Sequence, residues 1–175
     1  PAQVTNTDVD ATSWLQNISF DYRGIHFVGF DFCARKNGEF LGIPGLEGEQ
    51  ADLHDFPGGT WPWMVADLEA LKGRRKGSAL MFSHNPMHAS PGAFSAAEMK
   101  AVAELTASLD GVVHANLAGH YHVDAEVVPA GAGYVSIVVG AVHAGDVTVH
   151  LAAVVDDGLE ATWQHEIVAV PWPVP

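Results

Sequence analysis

The chain has 175 residues, eight Lys plus Arg against 21 Asp plus Glu for a formal charge of −13, and 48% hydrophobic residues. That is enough apolar material for the core of one ordinary domain and rules out wholesale disorder. The acidic balance repels phosphate backbones and anionic headgroups, which excludes charge-driven binding to nucleic acid or to a membrane surface, and no run approaches the ~18 apolar residues of a membrane span.

A lone Cys33 cannot form an intrachain disulfide, and the first 20 residues lack a basic stretch followed by an apolar one. Cytoplasmic and exported settings both stay open. The sequence opens at Pro1 and closes on Pro171-Trp172-Pro173-Val174-Pro175, and we read it as residues 1–170 of folded material plus a stiff proline-rich tail, 171–175, cut from a longer protein.

In chain order, Asp21-Tyr22-Arg23-Gly24 reads as a turn and residues 25–33 as a mostly buried strand, because they are β-branched, aromatic and apolar. Residues 35–59 are rich in glycine and acid without a period, as expected of a long surface loop. Thr60 is expected to cap a helix over 61–71, with Trp61, Met64, Val65, Leu68 and Leu71 in one apolar stripe and Gly73-Arg74-Arg75-Lys76 closing it. Residues 78–83 form a short strand candidate that runs into His84-Asn85-Pro86, where proline stops it.

A second helix starts on a capping box, Ser95 and Glu98, carries Met99, Val102, Leu105 and Leu109, and closes at Asp110-Gly111. Residues 112–118 give another strand that ends in Gly119-His120-Tyr121-His122. The remainder is β-rich, with strands expected at 135–142, 147–155 and 160–170 around an Asp156-Asp157-Gly158 turn. Alternating strands and helices followed by a β meander predict an α/β fold, a β-sandwich flanked by helices.

His84 and the pair His120/His122 each follow the carboxyl end of a short apolar strand, where open α/β sheets hold their ligands. If residues 120–122 are extended, alternate side chains share a face with Cα atoms ~6.6 Å apart, which suits imidazoles on two ions ~3.5–4 Å apart. Ten histidines in one chain also produce such pairs by chance, and a strand-end histidine can be satisfied by backbone hydrogen bonds. Spacing leaves both readings open.

The motifs themselves go further. Phe82-Ser83-His84-Asn85-Pro86-Met87 resembles the histidine-x-proline motif of the calcineurin-like metallophosphoesterases, and Leu117-Ala118-Gly119-His120-Tyr121-His122 resembles their Gly-His-x-His motif. The helix over 61–71 and the strand over 25–32 are similar to family elements flanking these motifs, so the likeness spans most of residues 15–168. It implies a β-sandwich flanked by helices, with the family's amino-terminal part absent from this chain.

It also implies a hydrolase that cleaves a phosphomonoester or phosphodiester with a metal-activated water at a binuclear site of manganese, iron or zinc ions. Two ions would also answer the substrate problem posed by the net charge of −13, since they supply the local positive field. By the same likeness His84 and His120 would bind the second metal and His122 the first.

The family's Asp-x-His, Gly-Asp and Gly-Asn-His motifs have no counterpart in the expected order. Asp52-Leu53-His54 and Gly145-Asp146 imitate two of them out of place. The expectation is therefore a phosphoesterase in the intact parent protein, with weak or no metal binding and little activity in this chain alone. The alternative is a non-catalytic binding module that keeps the fold.

Further residues carry both a functional and a plainer reading. His88 could touch a substrate phosphate or be an exposed loop histidine. Asp124 could orient His122 or lie simply at the surface. Asn17-Ile18-Ser19 matches a glycosylation sequon. Trp61 and Trp63 read as core anchors, and His26, His114, His143, His150 and His165 as structural or solvent-facing. A sheet without its other strands exposes apolar faces, so we expect association with an amino-terminal segment or self-association.

Overall fold

The computed structural model describes residues 3–6, 11–14, 16–33, 51–55, 58–88, 94–140, 148–156 and 158–169. Strands β1 (Gln3–Asn6) and β2 (Ala11–Trp14) form an antiparallel pair. The centre of the molecule is a six-stranded mixed sheet built from β3 (Ile18–Tyr22), β4 (Ile25–Phe30), β5 (Ala79–Ser83), β6 (Val113–Ala118), β7 (Ala125–Val127) and β8 (Val135–Val138). Its order is β3-β4-β5-β6-β8-β7. The four inner strands β4, β5, β6 and β8 are parallel, and the edges β3 and β7 are antiparallel to their neighbours.

Helices α1 (Thr60–Glu69) and α2 (Ala96–Ala107) supply the crossovers that parallel strands require. They cover one face, where Val28, Phe30, Ala79 and Met81 of the sheet pack beneath Met64, Leu68, Met99 and Val102 in one buried cluster. Burying each such side chain is worth about 1.5–3 kcal/mol. Trp61 and Trp63 pack against this cluster half-buried, with Trp63 edge-on to Phe30 at 5.9 Å, in keeping with core anchors.

The α2 capping box is present. Ser95 Oγ accepts from the Glu98 N–H, and Glu98 Oε2 accepts from the Ser95 N–H. The expected Thr60 cap is not formed, because the N-cap is Gly59. Thr60 lies one residue inside, fully buried, and its hydroxyl donates to the Asp31 carbonyl at 2.7 Å, pinning the helix start to the end of β4.

Two further readings are corrected. Asp21 and Tyr22 belong to β3, so the turn narrows to Arg23-Gly24, both in the left-handed region. Residues 51–54 of the expected surface loop contribute Ala51, Leu53 and His54 to the interior. That segment is tied down by the Leu53 N–H donating to Glu98 Oε1 and by His54 Nε2 facing the Cys33 carbonyl at 3.1 Å. Residues 35–50 of the same loop lie outside the described residues.

The opposite face of the sheet holds a smaller buried cluster, Leu80, Ala115 and Ile137, with Phe27, Leu117, Val135 and Trp163 packed on it. Trp163 comes from a second, two-stranded sheet of β9 (Thr148–Asp156) and β10 (Ala161–Ala169). The Ala161 N–H donates to the Lys76 carbonyl at 2.9 Å, and the Trp163 indole donates to the Gly77 carbonyl at 2.6 Å. Trp163 also stacks on His114 at 5.0 Å. Beyond the reach of this hairpin, Ile18, Phe20, Tyr22 and Phe82 are exposed, and Phe20, Phe27 and Phe82 stack in a row at 5.2 and 6.2 Å.

Three of the remaining histidines are placed structurally. His26 lies between Asp21 (3.3 Å) and Asp67 (2.9 Å), His114 stacks on Trp163, and His165 Nδ1 meets Glu126 at 3.0 Å. His143, the His150 side chain, Gly145-Asp146 and the tail at 171–175 lie outside the described residues.

Candidate metal centre

The carboxyl ends of neighbouring parallel strands β5 and β6 carry His84 and His120 one and two residues beyond their last members, Ser83 and Ala118. Ser83 and Ala118 are register partners, and the Gly119 N–H donates to the His84 carbonyl at 3.1 Å. The two rings meet edge-on with centroids 5.3 Å apart. A metal bound at ~2.1 Å by an imidazole nitrogen lies about 3.2 Å from that ring's centre, so two imidazoles on one tetrahedral ion have centres about 5.2 Å apart. The observed centroid separation is close to that value.

His122 lies two residues beyond His120 and is exposed. The extended geometry expected for residues 120–122 is not adopted. His120 and His122 both sit in the left-handed region, at φ 75° and 60°, in a run of bends between β6 and β7. They are two of the five described non-glycine residues with positive φ, and each costs strain of order 1–2 kcal/mol that the surrounding contacts must offset. Among the described residues no group of three His, Cys, Asp or Glu side chains is arranged to hold an ion. Asp124 Oδ1 accepts from the Gly140 N–H at 2.7 Å, which ties the bend to the segment after β8.

His88 is buried, and its Nδ1 lies 3.0 Å from Ser136 Oγ on β8. Burial pushes its imidazole below the ordinary value, favouring the neutral ring. Asp52-Leu53-His54 is likewise internal, with Asp52 Oδ1 accepting from the His54 N–H at 2.6 Å. Asn17 is engaged, accepting from the Asp31 N–H at 2.9 Å.

Sequence reasoning passed over Asn116. It is fully buried in the middle of β6, and its amide bonds to Ser83, Met87 and Ser136 around the loop that carries His84. The signal was present, since an asparagine inside the apolar run Val113-His114-Ala115-Asn116-Leu117-Ala118 contradicts strand propensity. Beside the histidines an open groove of about 570 Å³ runs along the strand ends, walled by Ile18, Phe30, Phe82 and Leu117 and reaching Ser83 and Gly119.

Comparison with known proteins places this geometry in a fold. No family model matches the chain, and no curated protein matches it. A crystal structure of a dimetal phosphatase from Danio rerio is similar, with a TM-score of 0.50 and 21% identity over 73% of this chain and 50% of that one. The chain therefore has a metallophosphoesterase-like α/β fold, and it spans about half the length of the zebrafish protein.

Proposed function

We propose that this chain is the carboxyl-terminal part of a metal-dependent phosphoesterase, a hydrolase of phosphomonoesters or phosphodiesters in the complete protein. The observation that carries the reading is the convergence of His84 and His120 at the ends of adjacent parallel strands, at a ring separation of 5.3 Å that suits a shared ion. Similarity to a dimetal phosphatase supports the same reading.

His84 and His120 would hold one ion and His122 would reach toward the other, with manganese, iron or zinc as candidates. Bound there, the ions would supply Lewis acidity to phosphoryl oxygens and a more acidic water. The chain's own contribution is to set the two imidazoles at a fixed separation through the β5–β6 ladder. It also lines the approach with Phe82 and Leu117, and the His122 bend is anchored through Asp124.

The partner in this reading is the rest of the phosphoesterase domain. Ile18, Phe20 and Tyr22 project from β3 on the face opposite the one where Ser19 bonds to Asp67 of α1, and with Phe82 they leave an apolar strip that a solvated surface does not favour. A chain spanning half of a similar phosphatase fits a strip that the other half covers. Sedimentation of the 175-residue chain tests this: association that ends when the preceding segment is co-expressed supports it, and a monodisperse monomer of the chain alone refutes it.

The enzymatic reading is tested in the full protein by His120→Ala, which should abolish metal-dependent hydrolysis of p-nitrophenyl phosphate and its bis ester. Unchanged turnover and unchanged metal content would refute it, and a full protein that binds no metal and hydrolyses neither ester would favour the alternative, a non-catalytic module that keeps the fold.

A further inference from the structure

His84 sits on a loop whose two ends are fastened by a single side chain. On the amino-terminal side Asn116 Nδ2 donates to Ser83 Oγ at 2.9 Å, and the Ser83 hydroxyl passes its own proton to the Asn85 carbonyl at 2.7 Å. On the carboxyl-terminal side Asn116 Oδ1 accepts from the Met87 N–H at 3.0 Å and from Ser136 Oγ at 3.4 Å. Ser136 Oγ in turn lies 3.0 Å from His88 Nδ1. The chain of bonds therefore leaves the loop at Ser83 and returns to it at Met87 and His88, with His84 between.

Burying an amide in a strand otherwise filled with apolar residues is unfavourable unless its bonds are made, and the two shortest of these bonds, to Ser83 and Met87, go to the loop. The Gly119 N–H bond to the His84 carbonyl ties the end of β6, which leads into His120, to the same loop. The Tyr134 hydroxyl adds a bond to the Met87 carbonyl at 2.7 Å from the far side.

We propose that Asn116 is the positioning residue that aims His84 at His120 and so sets the affinity of this pair for a divalent metal ion. The inference rests on the reading of His84 and His120 as ligands. Asn116 touches no substrate and acts only through the loop.

Zinc titration of the full protein chain by calorimetry, with imidazole nitrogen NMR as a second readout, tests it. His120→Ala should abolish zinc binding at the pair. Asn116→Val should weaken it about tenfold, the scale on which loss of groups supporting a metal ligand is felt. Val102→Ala, in α2 and away from the loop, should lower thermal stability without changing affinity more than about twofold.

If Asn116→Val retains wild-type affinity while His120→Ala loses it, the positioning role is overturned and the ligand reading stands. If His120→Ala binds as the wild type does, the ligand reading itself falls. Should Asn116→Val fail to fold, Ser83→Ala takes its place. That variant cuts the amino-terminal link alone, weaker zinc binding supports the inference, and unchanged binding overturns it.

Discussion

Gly77 offers a sharp test of how the β9–β10 hairpin is held. The residue sits in the left-handed region at φ +69°, its carbonyl receives the Trp163 indole N–H, and a Cβ built on it would overlap the Ala161 carbonyl oxygen. Gly77→Ala therefore carries backbone strain of about 1–2 kcal/mol and forces Ala161 away. That movement puts at risk the bonds to the Lys76 and Gly77 carbonyls, worth about 0.5–1.5 kcal/mol each. Lower entropy of the unfolded alanine chain returns about 0.4–1 kcal/mol.

The sum is a loss of about 3 kcal/mol. Gly73→Ala is the internal control, because Gly73 shares the positive φ, at +84°, but a Cβ there meets nothing within 4 Å. It should cost about 1 kcal/mol. Urea denaturation followed by tryptophan fluorescence reads both. At a slope of about 2 kcal/mol per molar urea the two midpoints should differ by about 1 M. Coincident midpoints would refute the claim that Ala161 presses on Gly77.

Ser95→Ala removes the hydroxyl of the α2 capping box and should cost about 1 kcal/mol, read as a lower urea midpoint with an unchanged slope. His114 is held below the ordinary imidazole value of 6.5 by burial first and by the charge of His165 second. The unfolded chain thus binds this proton at a higher pH than the folded one, so stability is full above about 6.5 and falls as pH drops below it. His114→Phe, which keeps an aromatic ring against Trp163, should flatten the decline of the urea midpoint between pH 7 and pH 5; an unaltered slope would exclude His114 as its source.

Local chemistry decided what could be read from the chain in advance. The α2 start was legible because a capping box lies within four residues, and the strands ending at His84 and His120 were legible as apolar runs broken by proline and glycine. The β3 strand was missed because its apolar side chains, Ile18, Phe20 and Tyr22, are exposed while Ser19 and Asp21 face the helix side, inverting the usual sign of the alternation. Burial of residues 51–54 depends on Cys33 and Glu98, which are 21 and 45 residues from their partners.

At the site, the identity of the histidines was legible and their backbone was not. Positive φ at His120 and His122 is unusual for side-chain-bearing residues and leaves no trace in spacing. Asn116 could have been noticed as a polar intruder in β6, but its partners Met87 and Ser136 emerge only when β6 is laid between β5 and β8.

The parallel ladder between β5 and β6 has a bearing on how such a protein could diversify. Neighbouring strands lie about 4.8 Å apart whatever side chains they carry, close to the 5.3 Å that separates the His84 and His120 rings. The spacing of the two strand ends that lead into the histidines is thus inherited from main-chain hydrogen bonding, and the side-chain bonds of Asn116 act on top of it. Residues lining the adjoining groove, such as Ile18, Phe82 and Leu117, can then drift from one descendant to another while the strand ends that lead into the histidines stay put.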